Sequence, residues 1–100
     1  MPLSKTQSSF YRRLYVTHLI RIGIASVPAI TAATGMPRRT AQDTLKALGE
    51  LDIHCAFVHQ AGEPHNSGHY VIRDWGPIDP DWVSAHADRI RLALGYPRVP

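Results

Sequence analysis

The residues with the clearest chemistry sit in and just after the stretch TGMPRRTAQD (34–43): Arg38, Arg39, Thr40, Gln42 and, one turn further on, Lys46. A guanidinium presents two parallel N–H donors that match phosphate oxygens or the O6/N7 edge of guanine, and a carboxamide matches the N6/N7 edge of adenine. Lysine holds phosphate as a point charge. Each well-placed base contact discriminates by about 1–3 kcal/mol. Helical spacing leaves Arg38, Arg39, Gln42, Asp43 and Lys46 outside, while Ala41, Leu45 and Leu48 form an inward stripe edged by Thr44 and Leu51. Asp43 repels phosphate and would bound any footprint.

A second group of reactive side chains is His54, Cys55, His59, His65 and His69. The spacings Cys55-x3-His59 and His65-x3-His69 invite a zinc reading, with Cys55, His59 and His69 as the best triad. Against it, strand alternation puts His54 and Cys55 on opposite faces, and neither a CxxC pair nor two His on one helix supports them. The expectation is a small buried thiol beside exposed imidazoles, with no metal. An inward thiol also argues against redox sensing. No Gly-rich phosphate loop and no Ser-His-Asp set is present, and the carboxylates are scattered, so neither an enzyme nor a cofactor is expected. The aromatics Phe10, Tyr11, Tyr15, Trp75, Trp82 and Tyr96 read as core and interface packing rather than as a stacking platform for single strands. Trp75 is expected to lock the exit of a hairpin onto the last helix.

One domain, residues 1–97, suffices for a chain of 100 residues that is 44% hydrophobic. No run of about eighteen apolar residues is present, so no membrane helix is expected. The segment MPLSKTQSSFYRR lacks the apolar stretch of an export signal, and a single Cys55 forms no internal disulfide; both fit a cytoplasmic protein. Net charge is only +3, but it is unevenly spread. Residues 1–49 carry seven basic side chains and one acid, Asp43; residues 50–100 carry four basic and seven acidic ones. A basic half of this kind suits a polyanion.

Several elements must position these groups. A first helix is expected over about Lys5 to Ile22, started by a capping box of Ser4 and Gln7 and stopped by Gly23. Its stripe is Tyr11, Leu14, Tyr15, His18, Leu19 and Ile22; Phe10, Val16 and Ile20 fall outside it, an apolar surplus that, together with that of the last helix, suggests a homodimer. A short second helix starts at the N-cap Ser26, with Pro28 in its first turn and Val27, Ile30 and Ala33 or Thr34 inward, and ends at Gly35. A third begins near Pro37. The runs IHCAFVH (53–59) and HYVIRDW (69–75) read as strands joined by the polar loop QAGEPHNSG. Ile53, Cys55 and Phe57 share one face; Tyr70 and Ile72 point inward, and His69 and Arg73 outward. The last helix starts at Asp79-Pro80-Asp81, buries Val83, Ala87, Ile90 and Leu94, and stops at Gly95; the tail 98–100 is expected to be loose. Ile24-Ala25 could add a short strand to the hairpin.

Two short helices around a Gly-containing turn, followed by a hairpin, resemble the winged helix-turn-helix of transcription regulators. Ser26 and Val27, then Thr34-Gly35-Met36, then Leu45-Lys46-Ala47-Leu48 occupy the places that family gives to the cap, the turn and the closing Leu-x-x-Leu. With FYRRLYVTHLI and IRDWGPI at its flanks, the chain also resembles a small bacterial winged-helix family of unassigned function. The resemblance implies an α+β, mostly α fold: a three-helix core, a β-hairpin wing (53–75) after the helix-turn-helix (26–51), and an extra C-terminal helix (79–95). It implies that Arg38, Arg39, Thr40, Gln42 and Lys46 face the major groove of double-stranded DNA, with Arg73 at the wing base as a further phosphate contact. It implies a homodimeric transcription regulator. Thr31, Ala41 and Thr44 depart from the residues usual in that family, and the wing tip offers only His65 and Asn66, opposed by Glu63. The alternative is a winged-helix module that binds a protein partner. A small effector, if one binds, would have to use the dimer interface or the wing.

Overall fold

The computed structural model describes residues 2–61 and 67–99. The order is α1 (Lys5–Arg21), α2 (Val27–Thr34), α3 (Arg38–Ala47), a 3-10 turn (Leu48–Leu51), β1 (His54–His59), β2 (Gly68–Asp74) and α4 (Pro80–Leu94). The wing-tip residues Glu63, His65 and Asn66 lie outside the described residues.

The local signals set the helix ends. The Ser4 hydroxyl accepts from the Gln7 amide while the Gln7 side chain accepts from the Ser4 amide, closing a capping box. Ser26 caps α2, accepting from the Ala29 N–H. Gly35 ends that helix at φ 79°, a left-handed conformation that favours glycine. Thr34 completes the turn: its hydroxyl donates to the Ile30 carbonyl at 2.8 Å and accepts from the Met36 N–H at 3.1 Å, while Met36 is buried. Asp79 caps α4 by accepting from the Asp81 N–H.

α1 is the central element, packed on by α3, α4 and β2. This position corrects the single-stripe expectation. Val16 and Ile20, expected outside the stripe, are buried along with Leu14, Tyr15, Thr17 and Leu19. Ile22, expected inside it, is 48% exposed because the helix ends one residue earlier. A helix covered on three sides buries more than one stripe, so most of the apolar surplus is used within the chain. The same crowding buries Thr44 and Ala47 on α3, where only Ala41, Leu45 and Leu48 were expected to be fully inward. Two of the departing residues fit by satisfying their own hydroxyls: Thr31 donates to the Pro28 carbonyl and Thr44 to the Thr40 carbonyl.

β1 and β2 pair antiparallel, with Cys55 opposite Ile72 and Phe57 opposite Tyr70. A register shift between His54 and Cys55 leaves Arg73 as a bulge residue. The Ile24-Ala25 strand is reduced to one bond, from the Tyr70 N–H to the Ala25 carbonyl at 2.8 Å. The tail is not loose throughout. Tyr96 and Val99 pack against the core, Tyr96 lies 5.7 Å from the Tyr15 ring, and Arg91 donates to the Tyr96 carbonyl. Trp75 lines a hollow with Ile20, Arg21 and Gly23 at the end of α1, and Arg21 joins that end to α4 through the Pro80 carbonyl and the Asp81 carboxylate. Three core helices, a two-stranded wing and a fourth helix across α1 make an α+β, mostly helical winged helix-turn-helix.

Candidate nucleic-acid interface

The interface begins with how α3 is turned. Ala41, Thr44, Leu45, Ala47 and Leu48 are buried, which fixes the opposite arc toward solvent. Successive residues step about 100° around a helix. Arg38, Gln42 and Lys46 therefore form one row, Arg39 and Asp43 the next, and all five are exposed. Thr40 is placed differently. It is half-buried at the margin of the packed arc, its carbonyl taken by the Thr44 hydroxyl, so the structure does not bring it into the outward row.

The charged groups are not equivalent. Arg39 Nε lies 3.9 Å from the Asp43 carboxylate, with side chains 91% and 68% exposed, a pair of small energetic weight in water. Arg38 and Lys46 form no ion pair among the described residues. Pro37 caps α3 without a side-chain hydrogen bond, so the cap residue leaves the first N–H groups of this positive helix end unbonded.

Arg38 and Gln42 form one wall of a trough of about 690 Å³. Ser26, Val27 and Pro28, at the start of α2, form another; Phe57, Ser67, Gly68 and Tyr70 of the wing close it. On the far side of Gln42 a second hollow, of about 480 Å³, separates Lys46, Asp43 and Leu45 from Cys55 and Tyr70. Gln42 and Tyr70 border both. Phe57 was expected inward with Cys55. Cys55, Tyr70 and Ile72 do pack against the core, but Phe57 is not among the residues that do. Its ring instead meets Tyr70 and His59 edge-on, each 5.0 Å away. The apolar inner face of the wing thus forms the floor beside a polar helix, a feature the sequence reading missed. The signal for it was a strand face without charge, facing the basic helix.

Gly68 permits this close wing. It has φ 152°, and a Cβ there would overlap the Val58 carbonyl oxygen. Arg73 is exposed on β2 at the bulge beyond Ile72, three residues from Tyr70, and does not line the trough.

The metal triad does not converge. Cross-strand partners share a face, so the pairs Cys55–Ile72 and His59–Gly68 set Cys55 and His59 on one face, and Val58–His69 sets His69 on the other. Among the described residues, no three His, Cys, Asp or Glu side chains gather at a metal-binding distance. Burial pushes the Cys55 thiol up to about 11, away from the thiolate that binds metal or oxidises. Among the described residues no helix is long and apolar enough to cross a membrane.

Comparison with known proteins agrees with this fold. A crystal structure of a DUF2131 family protein from Shewanella amazonensis SB2B superposes with a TM-score of 0.86 at 40% sequence identity, covering 94% of this chain and 96% of that one. No curated protein matches the chain. The profile of a family described as winged helix-turn helix matches residues 5–94, which takes in the cap of α2, the Thr34-Gly35-Met36 turn, α3, the wing and α4. The chain belongs to this winged helix-turn-helix family.

Proposed function

We propose that the chain binds double-stranded DNA sequence-specifically and regulates transcription as a cytoplasmic homodimer, with α3 in the major groove. The observation that carries this reading is the row Arg38, Gln42 and Lys46, exposed on a helix whose other side is fixed by burial. In this reading Arg38 and Gln42 read base edges, Lys46 and Arg39 hold phosphate and set register, and Thr40 contributes from the margin. The wing contributes shape and apolar contact through Phe57 and Tyr70, and Arg73 meets phosphate outside the trough. Such roles require no catalytic group and no cofactor.

Selection of bound duplexes from a random pool tests specificity. A shared motif that loses its preference at one position in Gln42→Ala, and at another in Arg38→Ala, is the expected result. A pool that stays random through successive rounds would overturn the base-reading claim. The competing reading, a protein-binding winged helix, draws on the exposed rings of Phe10 and Trp82. It predicts no affinity for duplex DNA at low salt.

A further inference from the structure

Four large apolar side chains are exposed among the described residues, Phe10, Ile22, Trp82 and Leu92, and of these Phe10 and Trp82 line one hollow together. They are 39% and 42% exposed and sit together, one near the start of α1 and the other near the start of α4. Between them lies a hollow of about 270 Å³, lined also by Pro77, Ile78 and Asp79. The other side of Phe10 faces a separate hollow that contains Lys5 and Arg13, with Glu50 as its one acid, a net basic lining. Phe10 is therefore a ridge with a basic hollow on one side and an apolar hollow with an acidic rim on the other. Asp81, next to that rim, is 87% exposed, and among the described residues its carboxylate pairs with Arg21 alone, at 3.4 Å.

We propose that this surface is the homodimer interface, and that its occupant is the same surface on a second copy of the chain. A two-fold axis is satisfied by a surface that carries both a knob and its hole. Seating Phe10 of each copy between Pro77, Ile78 and Trp82 of the other brings Lys5 and Arg13 of each toward the Asp79 and Asp81 carboxylates of the other. The charge match and the fit are thus made twice by the same operation. Trp82 is already held for such a role: it stacks on His86 with ring centres 4.1 Å apart, and the Arg89 guanidinium lies 5.9 Å from its centroid. A preset aromatic anchor within a charged rim is the anatomy of a specific interface. The basic hollow borders Glu50 and Leu51, beyond the C-terminal end of α3. A dimer formed there leaves Arg38, Gln42 and Lys46 uncovered. The inference assigns a surface to the homodimer proposed above; it is tested without DNA, so its failure leaves the base-reading claim standing, and the reverse.

Light scattering after size exclusion, across protein concentration and salt, reads the dimer directly. The wild type is expected to dimerise, and Phe10→Glu and Trp82→Glu to be monomeric with unchanged circular dichroism. Lys5→Glu changes only an exposed side chain, so its fold is not at risk. It should weaken the dimer about tenfold, since like charges then face each other twice. A wild type that stays monomeric at high micromolar concentration overturns the proposal and leaves the surface to a different protein. Dimers that persist in both Phe10→Glu and Trp82→Glu overturn it as well, by placing the contact elsewhere.

Discussion

Arg38 and Arg39 are neighbours in the chain but not in situation. Arg39 shares its charge with Asp43, whereas Arg38 stands at the trough wall without an ion pair among the described residues. Cys55 shows the same dependence on surroundings. Its thiol is held protonated by burial, from 9.0 up to about 11. It is expected to react with a disulfide reagent at pH 8 much more slowly in the folded chain than in urea, which thiol-release absorbance measures. The raised value also fixes the sign of a pH effect. Between about 9 and 11 the unfolded chain loses the Cys55 proton and the folded chain keeps it, so this group's stabilisation, complete below 9, is lost as pH rises through that window. A Cys55→Ala chain should show a flatter decline in melting temperature over the same range. At this scale the basic row was legible in the sequence, because Arg, Gln and Lys at four-residue steps can share a helix face whatever the tertiary packing. The place of Phe57 was not. Strand alternation gives a face, but not how far the helix packed against that face extends.

At the scale of elements, the helix starts and the turn were readable because each depends on residues close in sequence. Ser4 with Gln7, Ser26, Gly35 and Asp79 all act within a few positions of themselves. Thr34 is the strongest case. Its hydroxyl serves the Ile30 carbonyl and the Met36 amide at once, inside the helix-turn-helix. Thr34→Val keeps the shape but strands that amide, and is expected to cost about 1–3 kcal/mol in urea unfolding. A change below 0.5 kcal/mol, on the order of an ordinary surface substitution, would show that the turn does not depend on it. The single-stripe reading of α1 failed for the opposite reason. Periodicity describes one partner surface, and α1 has three. Val16 and Ile20 became core only because β2, α3 and α4 close around the helix from different directions. The Ile24-Ala25 strand shrank to one hydrogen bond, an outcome that depends on where β2 ends up rather than on the dipeptide.

The whole molecule is tied at its far end by a group that the sequence alone presents as one more surface charge. Arg91 is 7% exposed; it meets the Asp88 carboxylate at 2.9 Å and donates to the Tyr96 carbonyl at 3.0 Å. Asp88 is 73% exposed, so the carbonyl contact and the packed stem matter more than the ion pair. Arg91→Ala should destabilise by about 1.5–3 kcal/mol, and Asp88→Asn by less than about 1 kcal/mol, both read from chemical denaturation. Equal losses would mean that the pair, not the tail, is what Arg91 holds. With α4 and the tail locked onto α1, the helix-turn-helix is carried on a firm base and α3 is presented outward. The central claim is that α3 meets DNA, and fluorescence anisotropy of a mixed-sequence duplex, titrated across salt concentration with the wild type and with Arg38→Ala/Lys46→Ala, tests it most directly. Binding that weakens with salt, with a log–log slope lowered by about 0.9 for each lost phosphate contact in the variant, is the predicted result. An equal slope in the folded variant, or no binding by the folded wild type at low salt, would contradict it.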